Sequence, residues 1–122
     1  MTTPSTQDAL EQPPGPRAEL SQSISSLDAL IQALMSELPS TKPWQRQLLL
    51  HLSQAERDVQ ILRMTMAMDR SHDDVCEAAR RVHQTLRAAH ASIATGRADA
   101  GTKASVNIAM LTSRKISKAL PG

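Results

Sequence analysis

The sequence predicts an all-α fold: three or four amphipathic helices preceded by a disordered N-terminal tail. Trp44 is the only aromatic residue in the 122-residue chain, and Phe and Tyr are absent. Burial therefore rests on Leu, Ile, Val, Met and Ala, which suits helix-on-helix packing better than a sandwich of short strands. The apolar residues recur at alternating three- and four-residue steps, the period of one helix face. Proline and glycine gather in short segments between these stretches and punctuate them. A chain of this length has room for one small domain.

Residues 1–18 carry Pro4, Pro13, Pro14 and Pro16 among Thr, Ser and Gln. Each proline fixes φ and removes a backbone donor, and the low apolar content cannot support packing. This tract is expected to be a disordered leader. The first 26 residues hold no Lys and one Arg, a composition that suits an unfolded, export-ready segment. They lack the early positive charge and apolar block of a secretory signal peptide.

Leu20, Ile24, Leu27, Ile31, Leu34 and Leu38 define a first helix over 19–38, stopped by Pro39 and Pro43 with "PSTKP" as linker. Leu48, Leu52, Ala55, Val59, Leu62 and Met66 define a second over 44–69. Leu49, Leu50, Ile61, Met64 and Met68 widen its apolar stripe, which predicts several neighbours instead of one coiled-coil partner. The next register starts at Val75, nine residues after Met66, a step the period does not permit. Ser71 as N-cap, with Asp73 and Asp74 in the favourable first turn, opens a third helix over 72–95. Its stripe is Val75, Ala79, Val82, Leu86, Ala89 and Ile93, and Gly96 supplies the C-terminal cap. One unbroken helix with a local phase shift is the alternative. Residues 19–95 thus form a helical hairpin or bundle, and "TGRADAG" is a flexible joint before a final helix over 102–120.

The formal charge of +2 conceals an asymmetry. Residues 1–76 carry six Lys/Arg against ten Asp/Glu, and residues 77–122 carry eight against two. The basic half could meet phosphate, an anionic membrane face or an acidic neighbour. "ARRVHQTLRAAH" sets Arg80, Arg81 and Arg87 beside His83 and His90, but without a recognition motif or stacking aromatics it does not read as a nucleic-acid site. No run of 18 apolar residues could span a bilayer, and the lone Cys76 has no internal disulfide partner.

In the last helix, Val106, Ala109, Ser113, Ile116 and Leu120 keep the three-four period. Ser105, Ala109, Ser113 and Ser117 form a ridge of small side chains, which lets helix backbones approach closely. The sequence "KASV" at Lys103, Ala104, Ser105 and Val106, followed by apolar positions and the cationic Arg114-Lys115 before Ile116, resembles the C-terminal helix of the flagellar rod-base protein. That family is similar to the inner-rod subunits of type III secretion systems. The resemblance covers about 20 residues, and the chain departs from the flagellar pattern by stopping at "LPG". It implies a structural subunit exported from the cytoplasm by the secretion apparatus itself, without a Sec-type signal peptide. Its partners are then other apparatus subunits, with self-association as a further option. Lys103, Ala104, Ser105, Val106, Ala109, Met110, Ser113, Ile116, Ser117 and Leu120 are the expected protein-interaction residues.

No cofactor, small-molecule substrate or catalytic residue is expected. His72 and Cys76 are four apart and could face one ligand, as could His83 and His90 at seven, but neither pair completes the four donors of a structural zinc site. Glu56 and Asp58 read as solvated charges, Glu56 pairing with Arg63. The methionines read as core filler, with Met64, Met66 and Met68 as an alternative adaptable surface. The competing functional expectation is a cytoplasmic helical chaperone or adaptor, presenting a groove between the heptads at 20–38 and 48–66 to a partner's amphipathic helix.

Overall fold

The computed structural model describes residues 15–120. Four helices follow one another: α1 (Pro16–Glu37), α2 (Pro43–Ala67), α3 (His72–Ala94) and α4 (Ala100–Ala119). The fold is all-α, and the stretch 44–95 is two helices. Residues 1–14 of the expected leader, and residues 121–122, lie outside the described residues.

Helix α1 starts earlier than expected. Pro16, Arg17 and Ala18, assigned to the tail, are helical, with Pro16 in the first turn where a missing N–H costs nothing. The Arg17 guanidinium donates to the Met66 carbonyl at the end of α2 (3.0 Å), tying this turn to the bundle. Pro39 follows the Leu38 C-cap, whose N–H closes on the Leu34 carbonyl (3.0 Å). Pro43 occupies the first turn of α2, and Gln45 Oε1 accepts the Lys42 N–H at 2.9 Å, satisfying an orphan donor.

The break between α2 and α3 is a Schellman turn. The Arg70 N–H reaches the Thr65 carbonyl (3.2 Å), the Asp69 N–H reaches Met66 (3.1 Å), and Asp69 takes a φ of 54°. Ser71 then caps α3, its hydroxyl accepting the Asp74 N–H at 3.2 Å. At the far end Gly96 has a φ of +125°, a conformation that only glycine adopts without strain. Helix α4 begins before the expected 102. Asp99 is the cap that sequence reading passed over, accepting the Thr102 N–H (3.0 Å) and hydroxyl (2.7 Å), so Gly101 lies in the first turn and not in a joint. The Thr102 bonds hold the exposed Asp99 carboxyl below its ordinary pKa.

The core collects one stripe from each helix. Leu20, Ile24, Leu27, Ile31 and Leu34 of α1 meet Leu48, Leu52, Ala55, Val59 and Leu62 of α2; Ala79, Val82, Leu86, Ala89 and Ile93 of α3 and Val106, Ala109 and Ile116 of α4 complete it. Leu38, Met66, Val75 and Leu120 pack at its edge. Packing runs α1–α2, α2–α3, α3–α4 and α4–α1, closing a ring. The connections are short and neighbouring helices antiparallel, so α1 and α3 occupy one diagonal, α2 and α4 the other.

Candidate protein-interaction surface

The face expected to meet partners is turned inward. Val106, Ala109, Ser113 and Ile116 are buried, Lys103, Ser105, Met110, Ser117 and Leu120 are half-buried, and only Ala104 is exposed. The small-residue ridge packs α4 within its own chain, and Ser113 satisfies its hydroxyl on the Met110 carbonyl (2.6 Å). The groove expected between the heptads at 20–38 and 48–66 is likewise shut, because those stripes are the core of α1 and α2. Four helices with one apolar stripe each can bury all four only by closing the ring, which leaves no inner face vacant.

What remains free is the opposite face. A step of two residues turns a helix by about 200°, so every core stripe has a shadow on the solvent side. On α4 the shadow of Thr102, Val106, Ala109, Ser113 and Ile116 is Ala104, Ile108, Leu111, Lys115 and Lys118. All five are exposed, Ile108 at 55% and Leu111 at 47%. The helix carries Lys103, Arg114, Lys115 and Lys118 and no carboxylate. Its outer surface is thus apolar in the middle and cationic toward the C-terminal end.

Comparison with known proteins returns no match. No family model, no curated protein and no solved structure is significantly similar to this chain. The surface therefore has to be read from its own chemistry.

Helix α2 carries the larger shadow stripe, one that the sequence reading misassigned. Leu50, Gln54, Arg57, Ile61, Met64 and Met68 each lie two residues after a core or core-edge position. Leu50, Ile61, Met64 and Met68 are between 47% and 72% exposed. These four do not widen the inward stripe. Of the three clustered methionines Met66 packs against the core, whereas Met64 and Met68 face solvent. The signal was present in the sequence as a second four-three series displaced by two.

Of the two acidic residues of α2, Asp58 is not a solvated charge, and Glu56 is half-buried. Asp58 is buried and accepts the Thr85 hydroxyl of α3 and the Gln54 amide. Arg63 pairs with Asp28 of α1 (3.3 Å) and not with Glu56, whose Oε1 instead accepts from Gln32 and Gln60. Glu56 Oε2 is enclosed without a partner, and burial, with Asp28 adding to it, pushes this carboxyl above its ordinary pKa.

His72 Nε2 and Cys76 Sγ do approach each other, at 3.3 Å. Among the described residues no group of three or more His, Cys, Asp or Glu is placed to hold a metal ion. His83 is half-buried, and burial, with Arg87 and Arg114 adding like charge, holds its pKa below the ordinary value. An open pocket of about 420 Å³ at one end of the bundle is lined by Trp44, Ile93 and Ala98, with Lys42 and Arg97 as its charged residues. Among the described helices none is long and apolar enough to cross a membrane.

Proposed function

We propose that this chain is a non-enzymatic structural subunit of a multi-protein assembly, docking through the outer face of its C-terminal helix onto an acidic, partly apolar helix of a neighbouring subunit. The observation that carries this reading is the exposure of Ile108 and Leu111 beside Arg114, Lys115 and Lys118 on a helix without a carboxylate. Exposed apolar side chains rimmed by one sign of charge mark an interaction site, and the charge selects an acidic counterpart. The resemblance of "KASV" and the Arg114-Lys115 pair to flagellar rod-base and inner-rod sequences supports the type III secretion apparatus as the assembly. In this reading α4 remains the assembly element, with the face used being Ala104, Ile108, Leu111, Lys115 and Lys118.

The deciding experiment replaces Ile108 and Leu111 with Ser and, separately, Lys115 and Lys118 with Glu. Both variants should keep the wild-type helical melt and lose co-purification with apparatus subunits. Retained co-purification overturns the reading, as does binding of this face to anionic vesicles with no protein partner. Appearance of the protein outside the cell only when a working apparatus is present tests the secretion assignment itself.

The closed ring favours a second reading, a resident helical adaptor that folds alone and stays in the cytoplasm. It uses the same exposed faces, and it predicts that no protein leaves the cell whether or not an apparatus is present.

A further inference from the structure

We propose that the outer face of α2 pairs with the same face of a second copy, antiparallel, to make a two-fold dimer. The stripe Leu50, Gln54, Arg57, Ile61, Met64 and Met68 alternates steps of four and three, the spacing of a coiled-coil seam. Laid against itself in the opposite direction it matches without remainder. Leu50 faces Met68 of the second copy, Gln54 faces Met64, and Arg57 faces Ile61, each layer occurring twice about a centre at Val59. A self-complementary patch of this kind is what a two-fold interface requires.

The charges select this occupant over the alternatives on the same molecule. Beside the seam stand His51, Ser53, Gln60, Thr65 and Ala67, with Arg46 near one end and the flanking Asp58 buried, so the exposed like charge that two copies bring together is chiefly that of Arg57 in the central layers. Packing α2 of one copy onto the outer face of α4 of the next would set Lys115 and Lys118 against Arg57 or Arg46, with no exposed carboxylate on either stripe. Arg57 fits the antiparallel seam because its guanidinium is held sideways by Gln54 Oε1 at 2.9 Å, leaving the alkyl stem to cover Ile61 of the second copy. The four apolar side chains leave roughly 400 Å² exposed on each copy. Complete burial of these side chains on both copies removes at most about 800 Å², to which Gln54 and Arg57 add, against the ~1,000 Å² of a specific interface.

Sedimentation of the full chain over a concentration series reads the dimer, and disulfide trapping reads its direction. In a Cys76→Ser background, Leu50→Cys and Met68→Cys chains mixed together should cross-link to each other, and neither should cross-link alone, since residues 50 of the two copies stand about 27 Å apart along the seam. Ile61→Lys, which sets a second cation against Arg57 of the other copy, should weaken the dimer about tenfold or more, and Arg57→Leu should tighten it. Both substitutions sit on the solvent face of the monomer, so the melt of the dilute chain serves as the folding control. A chain that stays monomeric at high concentration overturns the proposal. So does a Leu50→Cys chain that cross-links to itself, or loss of the dimer in the Ile108→Ser, Leu111→Ser variant with Ile61→Lys inert.

Discussion

Asp58 of α2 accepts the Thr85 hydroxyl of α3 at 2.6 Å on one carboxylate oxygen and the Gln54 amide at 3.0 Å on the other. Asp58 is buried and Thr85 half-buried, so the bond lies at the contact of the two helices. Thr85→Val keeps the shape and leaves Asp58 one bond short, so it should lower the free energy of unfolding by about 1–2 kcal/mol. Urea denaturation measures this, and an unchanged midpoint would mean that Asp58 is solvated.

Glu56 gives the bundle a pH dependence. Its folded-state pKa lies above the ordinary 4.5, so the fold binds this proton more tightly than the unfolded chain does. The stability it contributes is complete below pH 4.5 and is lost as pH rises through the folded value. Glu56→Gln removes the charge that Asp28 opposes and should raise Tm at pH 7, with the advantage shrinking toward pH 4. A variant less stable than wild type at pH 7 would refute the enclosed-carboxyl argument.

Asp69 holds the turn between α2 and α3 with a φ of 54°. A β-branched side chain tolerates this conformation poorly, so Asp69→Val should cost about 1–2 kcal/mol, whereas Asp69→Gly should be neutral or slightly stabilising. Thermal melts should place Asp69→Val below the wild type and Asp69→Gly at or above it, and a Val variant as stable as Gly would refute the strained turn.

Ala109 is fully buried between α4 and its neighbours. Leu at this position adds volume to a filled core and should cost the isolated chain about 1–3 kcal/mol. An Ala109→Leu chain with wild-type stability would show that α4 does not pack in the ring in solution.

The helices and their inward stripes were legible because a four-three period read one residue at a time already names the face that must be buried. Ser71 and Gly96 were legible for the same local reason, since a hydroxyl at an N-cap and a glycine past a C-terminus act through their own backbones. Asp99 is masked as a cap by the two glycines nearby, which read as a hinge. The working surface was harder to read. Val106 and Ala109 are equally apolar whether they meet a partner or the chain's own α1 and α3, and only closure of the ring distinguishes the two. Leu50 and Met64 read as core because composition cannot separate an apolar residue facing in from one facing out, although their two-residue offset from Leu48 and Leu62 records the difference. The Arg63–Asp28 pair joins different helices, and no spacing within α2 announces it.

With an even number of antiparallel rods, Arg17 and Leu20 at the start of α1 and Ala119 and Leu120 at the finish of α4 border one common recess, together with Met66, His72 and Val75. The first turn of the first helix and the last turn of the fourth therefore open at the same pole of the bundle. The 39–42 and 95–99 crossings form the opposite pole, so a label placed at residue 17 and one placed at residue 119 report on one end of the bundle, and a label at residue 40 or 97 reports on the other.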